Sequence, residues 1–175
     1  MLVLLAGCET PARSASGGWS LIQKGSYQTL YAPDGKIDRL LYDKNGDGRA
    51  ESVTLFGPDG KPASSQIDTD VDGVVDRWEY LDPSGRLAKL GRARREAGTP
   101  DEWDAFGVGG EIRRREFDED GNGQVDRAEY MAGGAVYLEE LDTDRDGSLD
   151  RRVYRGPGGE VQRIEANKGG VWVAP

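Results

Sequence analysis

Four acidic segments of this 175-residue chain repeat one pattern: DKNGDGRAE at 43–51, DTDVDGVVD at 68–76, DEDGNGQVD at 118–126 and DTDRDGSLD at 142–150. Each sets oxygen-bearing side chains at positions 1, 3, 5 and 9, with glycine at position 6. That spacing can wrap a hard cation. Calcium takes about six to eight oxygens at roughly 2.3–2.6 Å, and a tight turn is a short way to converge them. In the Asp68 loop, Asp68, Asp70 and Asp72 offer carboxylates, Val74 its backbone carbonyl, and Asp76 a direct or water-mediated ligand. Glu79, at position 12, stands where both its oxygens would close the shell.

The Asp118 loop repeats the set with Asp118, Asp120, Asn122, the Gln124 carbonyl, Asp126 and Glu129. The other two loops lack the last acid. Asp43, Asn45, Asp47, the Arg49 carbonyl and Glu51 are followed by Thr54 at position 12; Asp142, Asp144, Asp146, the Ser148 carbonyl and Asp150 are followed by Val153. Weaker binding, or a water in the gap, is expected there. One Asp-Gly stretch would be explained as a polar turn, but four in register favour a metal. Position 8 is small and apolar throughout (Ala50, Val75, Val125, Leu149), which predicts inward packing.

The elements that must hold these loops follow from the repeat. The loops begin at 43, 68, 118 and 142, and the doubled middle interval predicts a degenerate unit from Ala93. There Gly98, Asp101 and Asp104 keep positions 6, 9 and 12, while Ala93, Arg95 and Ala97 replace the ligands. Arg95, at position 3, either points to solvent, the simpler reading, or acts as a built-in cation toward Asp101 or Asp104. Gly35, Gly60, Gly85, Gly110, Gly134 and Gly159 recur in one place, which counts six units of about 25 residues. The strings APDGK, GPDGK and DPSGR are hairpin-turn chemistry, and their flanks alternate with a period near two. The expected fold is mainly β: an elongated array of hairpins joined by calcium loops. Helix-loop-helix units are disfavoured because FGPDGKPASS cannot be a helix, although 86–96 and 126–132 are ambiguous.

The formal charge is −9, and histidine is absent. Crowded carboxylates oppose folding until cations bind, so calcium would act as a structural staple, with binding energy coupled to folding. No basic surplus suggests nucleic acid. Lacking histidine, the commonest general base, the chain is not expected to be an enzyme. Glu139 and Glu140 form a carboxylate pair, and Trp78, Trp103 and Tyr80 could make a sugar-binding stripe, but strand packing explains them more simply.

At the N-terminus, Leu5-Ala6-Gly7-Cys8 matches a bacterial lipobox, with Cys8, the lone cysteine, as the lipidation site. The segment is short and has no basic start, which predicts a longer precursor. Glu9 after the cysteine favours the outer membrane. The expected organisation is signal and lipobox at 1–8, tether at 9–18, array at 19–167 and tail at 168–175. The expected partners are the membrane, through Cys8, and a protein or polysaccharide of the cell envelope.

The string DTDVDGVVDRWEYLDPSGRL resembles the tandem DxDxDGxxDxWEYY-type repeats of bacterial lipoproteins and other exported proteins. YLDPSGRL and LYAPDGK also resemble YD-type hairpin repeats of large bacterial surface proteins. The resemblance covers roughly 25–166. It implies an exported hairpin array with calcium loops and no established catalytic role. The chain departs from it at the Ala93 unit, Thr54 and Val153. Two further readings are an EF-hand calcium sensor and a carbohydrate-binding accessory protein.

Overall fold

The structure is a computed structural model that describes residues 18–95 and 98–174. Fourteen strands form: β1 (Ser20–Lys24), β2 (Tyr27–Tyr31), β3 (Ile37–Tyr42), β4 (Ser52–Phe56), β5 (Pro62–Ile67), β6 (Arg77–Leu81), β7 (Leu87–Arg92), β8 (Glu102–Phe106), β9 (Ile112–Phe117), β10 (Arg127–Ala132), β11 (Ala135–Leu141), β12 (Arg151–Arg155), β13 (Val161–Lys168) and β14 (Val171–Val173). They pair in chain order in one open, wholly antiparallel sheet. No helix occurs among the described residues, which overturns the helix-loop-helix alternative. The two ambiguous stretches became β7 and β10, because each lies between strands that offer it a hydrogen-bond ladder.

The turns explain the period. At 32–36 the Gly35 N–H donates to the Ala32 carbonyl and the Ala32 N–H to the Lys36 carbonyl, both at 2.8 Å. Gly35 sits at φ 83°, a conformation that glycine adopts without steric cost. The same pair of bonds recurs at 57–61, 82–86, 107–111 and 156–160. A one-residue register shift precedes these turns, as between Leu55 and Phe56 or Tyr80 and Leu81. The β10–β11 hairpin instead turns on Gly133 and Gly134, both at positive φ, and so is one residue shorter.

Successive connections in such a meander lie at opposite strand ends, so the acidic loops line one long side of the ribbon and the hairpin turns the other. At a strand spacing of about 4.8 Å the ribbon extends for about 60 Å. Each strand touches only its neighbours in sequence, and among the described residues no second layer covers either face. The buried hydrophobic residues among those described are therefore few: Trp78, Leu90, Ala128 and Val153.

Cross-strand rows hold the sheet instead. One face runs Thr54, Ser65, Glu79, Leu90, Asp104, Arg115; the other runs Val53, Gln66, Trp78, Gly91, Trp103, Glu116. The Trp103 ring lies on Gly91, leaving no room for a Cβ, and Lys89 sits 4.2 Å from the ring centroid. Arg163 covers Tyr154 at 3.9 Å and Arg127 covers Phe117 at 3.8 Å. Each such pair contributes about 0.5–1 kcal/mol, so the array rests on many small terms rather than an apolar interior.

Candidate metal centres

All four acidic loops are built alike. The position-1 carboxylate takes two backbone N–H groups, those of positions 4 and 6. Asp43 receives Gly46 and Gly48 at 2.6 and 3.0 Å; Asp68 receives Val71 and Gly73, both at 2.7 Å. Asp118 receives Gly121 and Gly123, and Asp142 receives Arg145 and Gly147. The position-5 oxygen pins the N–H of position 7: Asp47 with Arg49, Asp72 with Val74, Asn122 with Gln124 and Asp146 with Ser148. Position 3 does the same for position 5 in three loops, from Asn45, Asp120 and Asp144. The position-8 residues Ala50, Val75, Val125 and Leu149 are half-buried.

Position 9 has a role that its spacing did not announce. Its carboxylate closes the loop on the position-2 N–H: Glu51 on Lys44, Asp76 on Thr69, Asp126 on Glu119 and Asp150 on Thr143. Thr69 and Thr143 add their hydroxyls to the same carboxylates. The position-9 carbonyl then receives the position-1 N–H of the next loop, as from Asp68 to Glu51 at 2.8 Å and from Asp118 to Asp101 at 2.9 Å. Adjacent loops also stack. The position-7 side chains of Arg49, Val74 and Gln124 lie against the position-6 glycines of the following loops, Gly73, Gly98 and Gly147.

Three groups of carboxylates converge: Asp68, Asp70 and Asp76; Asp118, Asp120 and Asp126; Asp142, Asp144 and Asp146. Within each group the oxygens lie within 4.8 Å of one another. Two oxygens on opposite sides of a calcium ion are also about 4.8 Å apart, so each group fits a hard cation. The Asp43 loop offers an amide, Asn45, at position 3 and forms no such triad; Asn45 also donates to Asp47 at 3.1 Å. Asp72 and Asp150 lie outside the triads, held by the contacts above.

Electrostatics within the triads are uneven. Burial pushes the Asp68 and Asp142 carboxyls up, but their backbone N–H partners outweigh it and hold both below the usual carboxylate range. Asp70 and Asp144 are pushed up, by burial first and then by the charges of Asp72 and Asp146. A divalent ion would relieve that repulsion.

Position 12 lies on a strand beyond the loop. It is the third residue of a strand in all five units that have a loop: Thr54 in β4, Glu79 in β6, Asp104 in β8, Glu129 in β10 and Val153 in β12. An extended strand carries it away from the loop at about 3.3 Å per residue, where a helix would coil it back. Glu79 is held by Arg77 at 2.5 Å, and Glu129 by Arg127.

The Ala93 loop keeps the closing bonds, with Asp101 receiving the N–H groups of Arg94 and Arg95. The expected role of Arg95 falls to other residues. Asp104, only 1% exposed, is held by Arg92 at 2.8 Å and Arg115 at 3.1 Å, while Arg95 is exposed. Arg92 and Arg94 both bind Glu102. Alternation across β7, β8 and β9 was the sequence signal for that cluster. Elsewhere, Glu139 is taken by Arg155 and Glu140 by Arg152 and Tyr130. Trp78 is buried and Tyr80 is 43% exposed, 6.0 Å from Trp103. Cys8 and the tether up to residue 17 lie outside the described residues.

No known family profile matches the chain, and no curated protein matches it in sequence. Solved structures with weak likeness include accessory secretory proteins 1, 2 and 3 of Streptococcus pneumoniae, with 14% identity and TM-score 0.40, over 65% of this chain and 19% of that one. A glycosylation-associated protein complex from Streptococcus agalactiae gives 12% identity and TM-score 0.38, over 73% and 19%. A TarM mutant from S. aureus, in complex with Fondaparinux, alpha-GlcNAc-glycerol and UDP, gives 9% and 0.35, over 69% and 21%. The chain spans about a fifth of the length of each, and likeness at this level carries no argument about function.

Proposed function

We propose that this chain is a calcium-stapled scaffold or binding module of the bacterial cell envelope, and not an enzyme. The observation that carries the metal part is the repeated convergence of three carboxylates, from positions 1 and 3 with position 9 or, in the Asp142 loop, position 5, along one side of the sheet. Hard oxygen donors with no nitrogen or sulfur ligand suit calcium better than zinc or copper. Asp68, Asp118 and Asp142 anchor the three triads, and the Asp43 loop is a weaker fourth site. Each cation offsets repulsion among carboxylates that the fold has already brought together. The long single-layer sheet suits presentation of a surface better than enclosure of a substrate.

The envelope part rests on the lipobox-like Leu5-Ala6-Gly7-Cys8 and on the repeat resemblance. Lipidation of Cys8 would anchor the ribbon at the outer membrane through the short tether. Replacing Cys8→Ser in a chain expressed with a full export signal should move the protein from the membrane to the soluble fraction; continued membrane fractionation would contradict the anchor. The calcium part is tested by calorimetric titration of the chelator-treated protein, where at least three bound ions are expected.

A further inference from the structure

The Ala93 loop departs from its neighbours in charge as well as in ligands, with Arg94 and Arg95 at positions 2 and 3. Cavities open on both of its sides. One, of about 450 Å³, has Asp70 and Asp76 of the preceding loop on its wall together with Arg77, Arg92, Arg94 and Arg95. The other, of about 470 Å³, sets Arg95 beside Asp118 and Asp120 of the following loop. Arg95 therefore lines both.

The arginines are placed rather than loose. Arg94 grips Glu102 through two nitrogens, at 2.5 and 3.1 Å, yet its side chain remains 63% exposed. A guanidinium has five N–H donors, so the grip leaves others for a ligand. The backbone under Arg95 is fixed by its N–H bond to Asp101 at 2.8 Å. The Asp68 loop, for its part, brings three carboxylates together and has lost Glu79 to Arg77. Calcium takes about six to eight oxygens, so a cation held there keeps open coordination positions. Because Asp70 and Asp76 line the first cavity, that cation sits on its wall.

We propose that the first cavity binds a small phosphomonoester, whose oxygens bridge the cation of the Asp68 loop and the guanidinium groups of Arg94 and Arg95. The inference rests on the calcium reading above. A phosphate has three terminal oxygens and can serve metal and arginine together, and arginine pairs with phosphate through parallel hydrogen bonds. The site is metal-gated: without the cation, Asp70 and Asp76 repel an anion; with it, most of that repulsion is offset and the arginines of the wall dominate. The volume leaves room for a sugar or polyol on the phosphate.

Glucose 1-phosphate is the probe, with glucose as the neutral control, each titrated into the full chain in calcium and in chelator. Binding of the phosphate alone, only in calcium, is the expected result. The double substitution Arg94→Ala, Arg95→Ala should weaken it by about tenfold or more while the calcium isotherm stays unchanged. Equal binding in chelator, an unaffected double variant, or no phosphate binding to protein that binds calcium would each overturn the proposal. If calcium itself fails to bind, the calcium isotherm shows that the underlying reading has failed, and this site falls with it.

Discussion

Arg92 donates to Asp104 at 2.8 Å in the middle of the sheet, and Asp104 is the largest fully buried side chain among the described residues. Arg115 approaches the same carboxylate from the next strand at 3.1 Å. In the one unit without loop ligands, fixed guanidinium groups hold the position-12 acid. The substitution Asp104→Asn should lower stability by about 2 kcal/mol, the scale of a hydrogen bond to a charged group. Urea unfolding in chelator measures it free of metal linkage. A loss below about 0.5 kcal/mol, typical of an indifferent surface site, would contradict that role.

The substitution Glu79→Gln should leave calcium affinity within about threefold, since its carboxylate belongs to Arg77 on the sheet face. Asp68→Asn should abolish binding at that loop, because Asp68 converges with Asp70 and Asp76 and also caps Val71 and Gly73. Calorimetry on the two variants gives the comparison. Loss of the site in the Glu79 variant would mean that the strand releases this glutamate to the metal.

Loop stacking is open to a double-mutant cycle. Gly123 and Gly147 both sit at positive φ, at 86° and 90°, so alanine at either is strained by about 1–2 kcal/mol. A Cβ at Gly147 would also overlap the Gln124 amide, whereas Gly123 has open space. The Gly147→Ala variant should therefore be the less stable of the two, and adding Gln124→Ala should recover the difference. Equal melting temperatures for the two single variants would count against contact between successive loops.

Acid should act in two stages. The Asp70 and Asp144 carboxyls titrate above the usual range, so protons displace calcium there first as pH falls from neutrality. For the metal-free protein the same shift has the opposite sign: the folded state binds these protons more readily than the unfolded, so their protonation favours folding. Asp68, Asp82, Asp142 and Glu111 titrate below the usual range, and the stability they supply is lost only as pH falls through those lower values. Calcium affinity should decline at a higher pH than apo-protein stability. Simultaneous decline in both measurements would contradict this order.

The loops and hairpins were legible because their cues are local: Asp at fixed spacing, glycine where φ must be positive, and apolar residues on alternate positions. The position-12 assignment borrowed a geometry in which a helix follows the loop, whereas here a strand does. Nothing in DRWEYL signals that Glu79 points across a sheet row rather than back to Asp68. Arg95 occupies a ligand position but faces solvent, the simpler of its two readings, and Asp104 is matched instead by Arg92 and Arg115, its neighbours across β7 and β9. The single-layer form was hidden for a related reason. Trp78 and Leu90 lie on opposite faces, so alternation marks no one side as the core.

Calcium titration of the full chain, read by heat and by thermal melting against a chelator control, tests the central claim most directly. The account predicts at least three bound ions and a melting temperature that rises with free calcium. Each site would add about 2.7 kcal/mol at a hundredfold excess over its dissociation constant. A strand-rich circular dichroism spectrum should persist throughout. Absence of binding heat together with an unchanged melting temperature would show that the acidic loops are turns closed by their own hydrogen bonds, and would contradict the account.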